Sequence, residues 1–232
     1  MGISSGKNSV AYSIVRSTRK TTAITVTPDQ KVTVRTSLDA DDAAIERIVR
    51  KRAAWIVRQQ KFFQQFLPKT PPRTFVSGET HLYLGRKYRL RVRCTEREEV
   101  KLQGGFLYVH TAHPADAEEV KALLYGWYEA HAQKRFRERL AVCMESAAGR
   151  KIAAPHLEIR RMSKRWGSCR APGVLTLNLD LIRAPRVCID YVIIHELCHL
   201  HHPNHSPQFY KLLTNVLPDW NAIKLRLEQT LS

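Results

Sequence analysis

The sequence predicts an α+β fold, with a β-rich N-terminal part ahead of a C-terminal part built from a long helix, a small sheet and a second, apolar helix. Three observations carry this. Before residue 113, short runs alternate apolar and polar residues, and turn-forming residues separate them. From about residue 115 to 148 the pattern is that of one long helix. The last third holds one strictly alternating run and then an apolar helix, and five of the ten histidines fall within eleven residues there.

Taken in order, TTAITVTPDQKVTVRTS is a hairpin. Ile24 and Val26 alternate with threonines, Val32 and Val34 do the same, and PDQK supplies the turn. DADDAAIERIVRKRAAWIVRQQKFFQQF starts acidic and continues basic, as the helix dipole favours. Its Ile45, Ile48, Val49, Ala53, Ile56 and Phe63 recur at helical spacing, while Arg50, Lys51, Arg52, Arg58 and Lys61 decorate the rest. PKTPPRT (Pro68 to Thr74) ends that helix and closes a first unit, 1–70. Two more hairpins occupy 71–113, turning at Gly85 and at Gly104 and Gly105, either by themselves or as one unit with the preceding part. Residues 114–232 form the last unit. In it HLEIRRMSKRWGSC has the character of an irregular strand, and RAPG (Arg170 to Gly173) is a turn. VLTLNLDL is a half-buried strand with Leu175, Leu177, Leu179 and Leu181 on one face and Thr176, Asn178 and Asp180 on the other. Pro185 opens the next helix, where its missing N–H costs nothing, and Pro203 stops it.

The chain has 232 residues, 44% of them hydrophobic, a globular composition with enough apolar matter for a core. No apolar run is long enough to span a bilayer. MGISSGKNSV lacks the apolar core of a secretory signal and, with Gly6 where Ser or Thr is required, fails the myristoylation pattern. A cytoplasmic protein with no membrane partner is expected. The five cysteines form no CxxC pair, so reduced thiols are expected rather than a disulfide framework. A net charge of +17 favours contact with polyanions, DNA or RNA among them.

The stretch YVIIHELCHLHHPNHSPQFY carries the chemistry. His195 and His199 are four residues apart, so both imidazoles project from one helix face. Glu196 follows the first. H-E-x-x-H supplies two zinc ligands and a general base for the water that the metal activates. A catalytic zinc needs a third protein ligand and an open position. His201 and His202 point away from the His195–His199 face. His205 lies past Pro203, where the chain can bend back, at the offset from His195 of the longer metzincin pattern, although His202 stands where that pattern has Gly. Asp219 and Glu228 are the alternatives.

RRMSKRWGSC (Arg160 to Cys169), LTLNLDL, DYVIIHELCHL (Asp190 to Leu200) and NHSPQF (Asn204 to Phe209) together resemble the YgjP-like metallopeptidases, relatives of the SprT and Spartan proteases; RAAWI and YLGRKYRL extend the likeness upstream. The resemblance implies a zincin-like C-terminal part, one Zn²⁺ per chain held by His195, His199 and His205, Glu196 as catalytic base, and a peptide or protein substrate. Leu179 and Tyr210 stand where the family usually has tryptophan. Zinc-dependent peptide hydrolysis is therefore the expected function. A protein that binds nucleic acid without sequence preference, with a mainly structural zinc, is the alternative. So is a protease acting on DNA-bound proteins, as the SprT relatives are, or an accessory of a DNA-modification or restriction system.

Further candidates surround this centre. VLTLNLDL has the pattern of a strand that a peptide substrate could join, with Asn178 on its polar face to orient a substrate group. Tyr210 is a candidate oxyanion stabiliser. Trp166 is expected to anchor the core, and Cys169 and Cys198 to pack rather than ligate. Arg160, Arg161, Lys164 and Arg165 form the basic run nearest the site and are the candidate nucleic-acid contacts.

Overall fold

The computed structural model of the chain describes residues 2–5, 8–27, 29–64, 72–150, 152–170 and 173–231. Two compact units are present, residues 1–70 and Pro71–Leu231. In the first, β1 (Gly2–Ser5) and β2 (Asn8–Ala11) pair antiparallel. β3 (Ser13–Ser17), β4 (Ala23–Val26) and β5 (Val32–Ser37) form a sheet in the order β3-β5-β4. β4 and β5 are the expected hairpin, and β3 joins parallel to β5. Helix α1 (Asp42–Gln64) buries Ile45, Val49 and Ile56 in one core with Val32 and Val34. Its Arg50, Lys51, Arg52, Arg58 and Lys61 are exposed, a solvated face. The boundary expected at Pro68 to Pro71 and the side chain of Phe63 lie outside the described residues.

The second unit opens with a sheet of β6 (Thr80–Tyr83), β7 (Arg86–Cys94), β8 (Glu99–Gln103) and β9 (Phe106–Thr111), in the order β6-β7-β9-β8. Both expected hairpins are there. Their inward side chains Leu90, Leu107 and Val109 share one core with Val120, Leu124 and Tyr128 of α2 (Ala117–Met144). Asp116 caps α2 by accepting from the backbone N–H groups of Glu118 and Glu119. The helix buries Val120, Leu124, Tyr128, Ala132, Phe136 and Leu140, a stripe at every fourth residue that winds slowly round the helix.

After α2 come β10 (His156–Arg160), β11 (Gly167–Arg170) and β12 (Val174–Asn178), in the order β10-β12-β11. The expected strand over VLTLNLDL is cut short. It ends at Asn178, whose side chain accepts from the Asp180 N–H and starts a 3-10 turn, Leu179–Arg183. Nor is β12 half-buried at an edge. It pairs parallel with β10 and antiparallel with β11, and Leu175, Thr176, Leu177 and Asn178 are all buried.

Helix α3 (Arg186–His201) follows, then α4 (Pro207–Val216) and α5 (Trp220–Leu231). α3 is buried on nearly all sides between Cys188 and Cys198, where most of its residues are apolar. Two devices fix its position. Arg139 of α2 grips Asp190 with paired bonds of 2.6 and 2.8 Å. The β6–β7 turn docks on its start: Leu84 and Gly85 donate to the carbonyls of Ile182 and Arg183. Gly85 has φ +78°, and a Cβ there would lie 2.7 Å from Pro185 Cγ, so both its backbone and its surroundings require glycine. No helix among the described residues is long and apolar enough to cross a membrane.

Candidate metal centre

His195 and His199 project from the same side of α3. The helix ends at His201, one residue before the cap at His202 and two before Pro203. Ser206 then caps α4 by accepting from the Phe209 N–H, with Pro207 in the first turn. This restart turns the chain back and brings His205 to the other two. One nitrogen from each of His195, His199 and His205 lies within 4.8 Å of the others. Phe209 is fully buried beneath them, its ring centroid 5.0, 4.6 and 4.7 Å from the three imidazoles in chain order. The third ligand expected from the offset is thus the residue that the fold brings in. Glu228 lies in the wall of the same cavity, outside the cluster.

The donor set fits one divalent metal ion. The Nε2 atoms of His195 and His205 are 3.1 Å apart. Two ligands on a tetrahedral ion with bonds of about 2.0–2.1 Å stand roughly 3.4 Å apart. Burial, then the neighbouring His199 and His205, push the His195 pKa down to about 4, and burial also lowers that of His205. Imidazoles held neutral offer lone pairs rather than charge. His199 Nδ1 is 3.2 Å from the His202 carbonyl, which fixes that tautomer and leaves Nε2 free for a metal. His195 Nδ1 is buried without a hydrogen-bond partner among the described residues.

Glu196, on the next position of the helix, is buried beside the cluster. Burial raises its pKa to about 7, against the pull of the Cys169 N–H that bonds to it and of Arg165. A carboxyl group poised near neutrality suits proton transfer. β11 runs alongside so closely that a Cβ on Gly167 would lie 2.9 Å from Glu196 Cγ, Glu196 Oε1 and Val192 Cγ1. The cavity that holds the four residues measures about 780 Å³ and is also lined by Gly167 to Cys169, by Tyr191, and by Lys224 and Glu228 of α5. Gly167, Lys224 and the support residue Phe209 were missed from sequence. Only Gly167 carried a signal, since a glycine inside a strand often marks a close backbone approach.

The other expected residues fall as follows. Asn178 lies outside the cavity wall and is bound into the fold. It is 2% exposed, and its amide donates to the carbonyls of Met162 (2.7 Å) and Arg165 (3.0 Å) while its oxygen takes the Asp180 N–H. Its polar atoms are spent on the 161–166 connection. Asn178→Ala is expected to cost about 2 kcal/mol or more of stability, from lost bonds plus a lost cap. A urea-unfolding midpoint unchanged from the parent, with a raised KM, would instead restore the substrate role. Tyr210 lies between His205 and Trp220, with ring centroids 6.0 and 5.4 Å away, and its ring is outside the cavity wall. Trp166 packs partly against the core and also lines the cavity. The cysteines are free, Cys143, Cys188 and Cys198 buried. His201 reaches the Ala148 carbonyl (2.9 Å), away from the cluster. Arg160, Arg161, Lys164 and Arg165 surround a depression of about 550 Å³ that shares Arg165 and Ser168 with the metal cavity; Arg160 is paired with Glu158 (2.8 Å) and Arg161 lies over the Tyr125 ring.

Comparison with known proteins gives two positive findings. No curated protein matches the chain. Among solved structures, the metallopeptidase zymogen of Methanocaldococcus jannaschii, jannalysin, is similar at 21% identity over 42% of this chain and 90% of that one, with a TM-score of 0.37. The sequence model of the YgjP-like metallopeptidase domain matches residues 20–230, which reaches into both units and covers every residue of the centre, and the chain belongs to that family of metallopeptidases.

Proposed function

We propose that this metallopeptidase is a zincin-like, zinc-dependent enzyme, with His195, His199 and His205 holding the ion and Glu196 acting as general base. The observation that carries the reading is the convergence of three imidazoles and one buried carboxyl group on a single open cavity. When bound, zinc would polarise the scissile carbonyl and lower the pKa of the attacking water. Glu196 takes the proton of that water and passes it to the leaving amine. Its carboxylate is kept in place by the Cys169 N–H and by the bare backbone of Gly167.

β11, rather than β12, is the strand suited to substrate. It pairs with β12 along one edge, occupies the end of its sheet, and borders the cavity. An extended peptide laid along its other edge gains main-chain hydrogen bonds and brings a carbonyl to the histidines. The reading is tested by metal removal. Dialysis against a chelator should abolish cleavage of an unfolded protein substrate, and stoichiometric zinc should restore it. Cleavage that persists in protein shown by elemental analysis to be metal-free would overturn the proposal.

A further inference from the structure

The four-stranded sheet β6-β7-β9-β8 buries one face against α2 and turns the other outward. That outer face is unusual for a solvated sheet. Three successive outward positions of the inner strand β9 bear rings: Phe106, Tyr108 and His110, with centroids 5.9 and 6.3 Å apart. Beside them on β7, in register, stand Arg89, Arg91 and Arg93, all exposed. Arg91 lies 5.1 Å over the Phe106 ring and Arg93 5.5 Å over that of Tyr108, so guanidinium planes and rings share one surface. Lys87 extends the β7 row, and Lys101 faces Tyr108 from β8. The only outward carboxylate on these described strands is Glu99, which Lys101 already pairs at 2.7 Å.

We infer that this face is a binding platform for single-stranded nucleic acid, separate from the peptidase site. A polyanion is attracted by the cationic row. The rings decide among polyanions. They give each successive base of an extended strand a flat surface to stack on, and stacking needs base faces, which a duplex hides and an acidic polypeptide lacks. The alternation of β7 and β9 repeats the two components, charge and ring, every second residue along both strands. No set of base-edge readers accompanies them, so the platform is indifferent to sequence.

The test is fluorescence anisotropy of the full chain with a labelled oligothymidine, across a salt series. A Kd of about 10⁻⁶ M or weaker at physiological salt is expected, tightening as salt is diluted. Tyr108→Ala should weaken binding about 5- to 100-fold, the scale of one lost stacking contact. Tyr108→Leu, which keeps an apolar strand residue but no ring, should do the same and guards against misfolding of the alanine variant. Arg91→Gln with Arg93→Gln should reduce the salt slope by about 1.4, two backbone contacts on a single strand. A duplex of equal length or polyglutamate binding as tightly would overturn the assignment, as would absence of binding at low salt. So would a loss confined to the Arg160→Gln, Arg161→Gln, Lys164→Gln, Arg165→Gln variant with Tyr108→Leu unaffected, which would place nucleic acid in the depression beside the metal cavity.

Discussion

Replacing Glu196 by Gln is expected to lower peptide hydrolysis by about 10²–10⁴-fold or more while leaving metal content and folding intact, the scale of a lost general base. Gln keeps the length of the side chain, an oxygen to accept the Cys169 N–H, and the volume packed against Gly167. What it loses is the ability to take a proton. The side chain is also buried, so an uncharged replacement costs less to desolvate than the carboxylate. Initial rates on metal-loaded parent and variant, with metal quantified in the same samples, decide the matter. Turnover at the parental rate would falsify the role of base. Loss of the metal with retained fold would make Glu196 a structural support of the histidines instead.

His205→Ala is expected to weaken zinc binding by about 100-fold or more, since even an outer partner of a metal ligand is worth roughly 10–100-fold. Its ring stands in the cluster with those of His195 and His199, at centroid separations of 5.1 and 4.6 Å. The variant should fold without metal, because His205 is exposed and the core beneath it is Phe209. Metal added to the parent should raise its melting temperature by linkage, and the variant should show little of that rise. Asp219→Ala and Glu228→Ala are the controls. Should either abolish zinc binding while His205→Ala does not, the third ligand has been misassigned.

What sequence could and could not disclose follows from the range of each interaction. The His195–Glu196–His199 spacing was legible because a helix fixes the geometry of residues four apart. His205 was legible in part: its offset pointed to it, but the turn that delivers it depends on Pro203 and on the cap of α4 at Ser206. The hairpins at Gly85 and Gly104 and the long α2 were clear from period alone. Alternation in VLTLNLDL, by contrast, identified two faces and said nothing of neighbours, so a central strand looked like an edge and Asn178 looked free. The five-residue strand β3 and the parallel pairings β3–β5 and β10–β12 join residues distant in sequence, which local pattern does not register. For the same reason Lys224, Phe209 and the contact of Gly167 with Glu196 emerged only in three dimensions.

The bare backbone at position 167 has a historical implication. Its φ is not in the left-handed range, so the chain itself would admit alanine there; the obstacles are the side chains of Glu196 and Val192 opposite. In most helices and strands, alanine in place of glycine is tolerated or gained from through the entropy of the unfolded chain. Here the positions are linked. A side chain at 167 has to be accommodated by shifts or shortening at both 192 and 196, so the three positions are expected to change together. A descendant of this chain that keeps Val192 and Glu196 in their present places is therefore expected to keep glycine at 167.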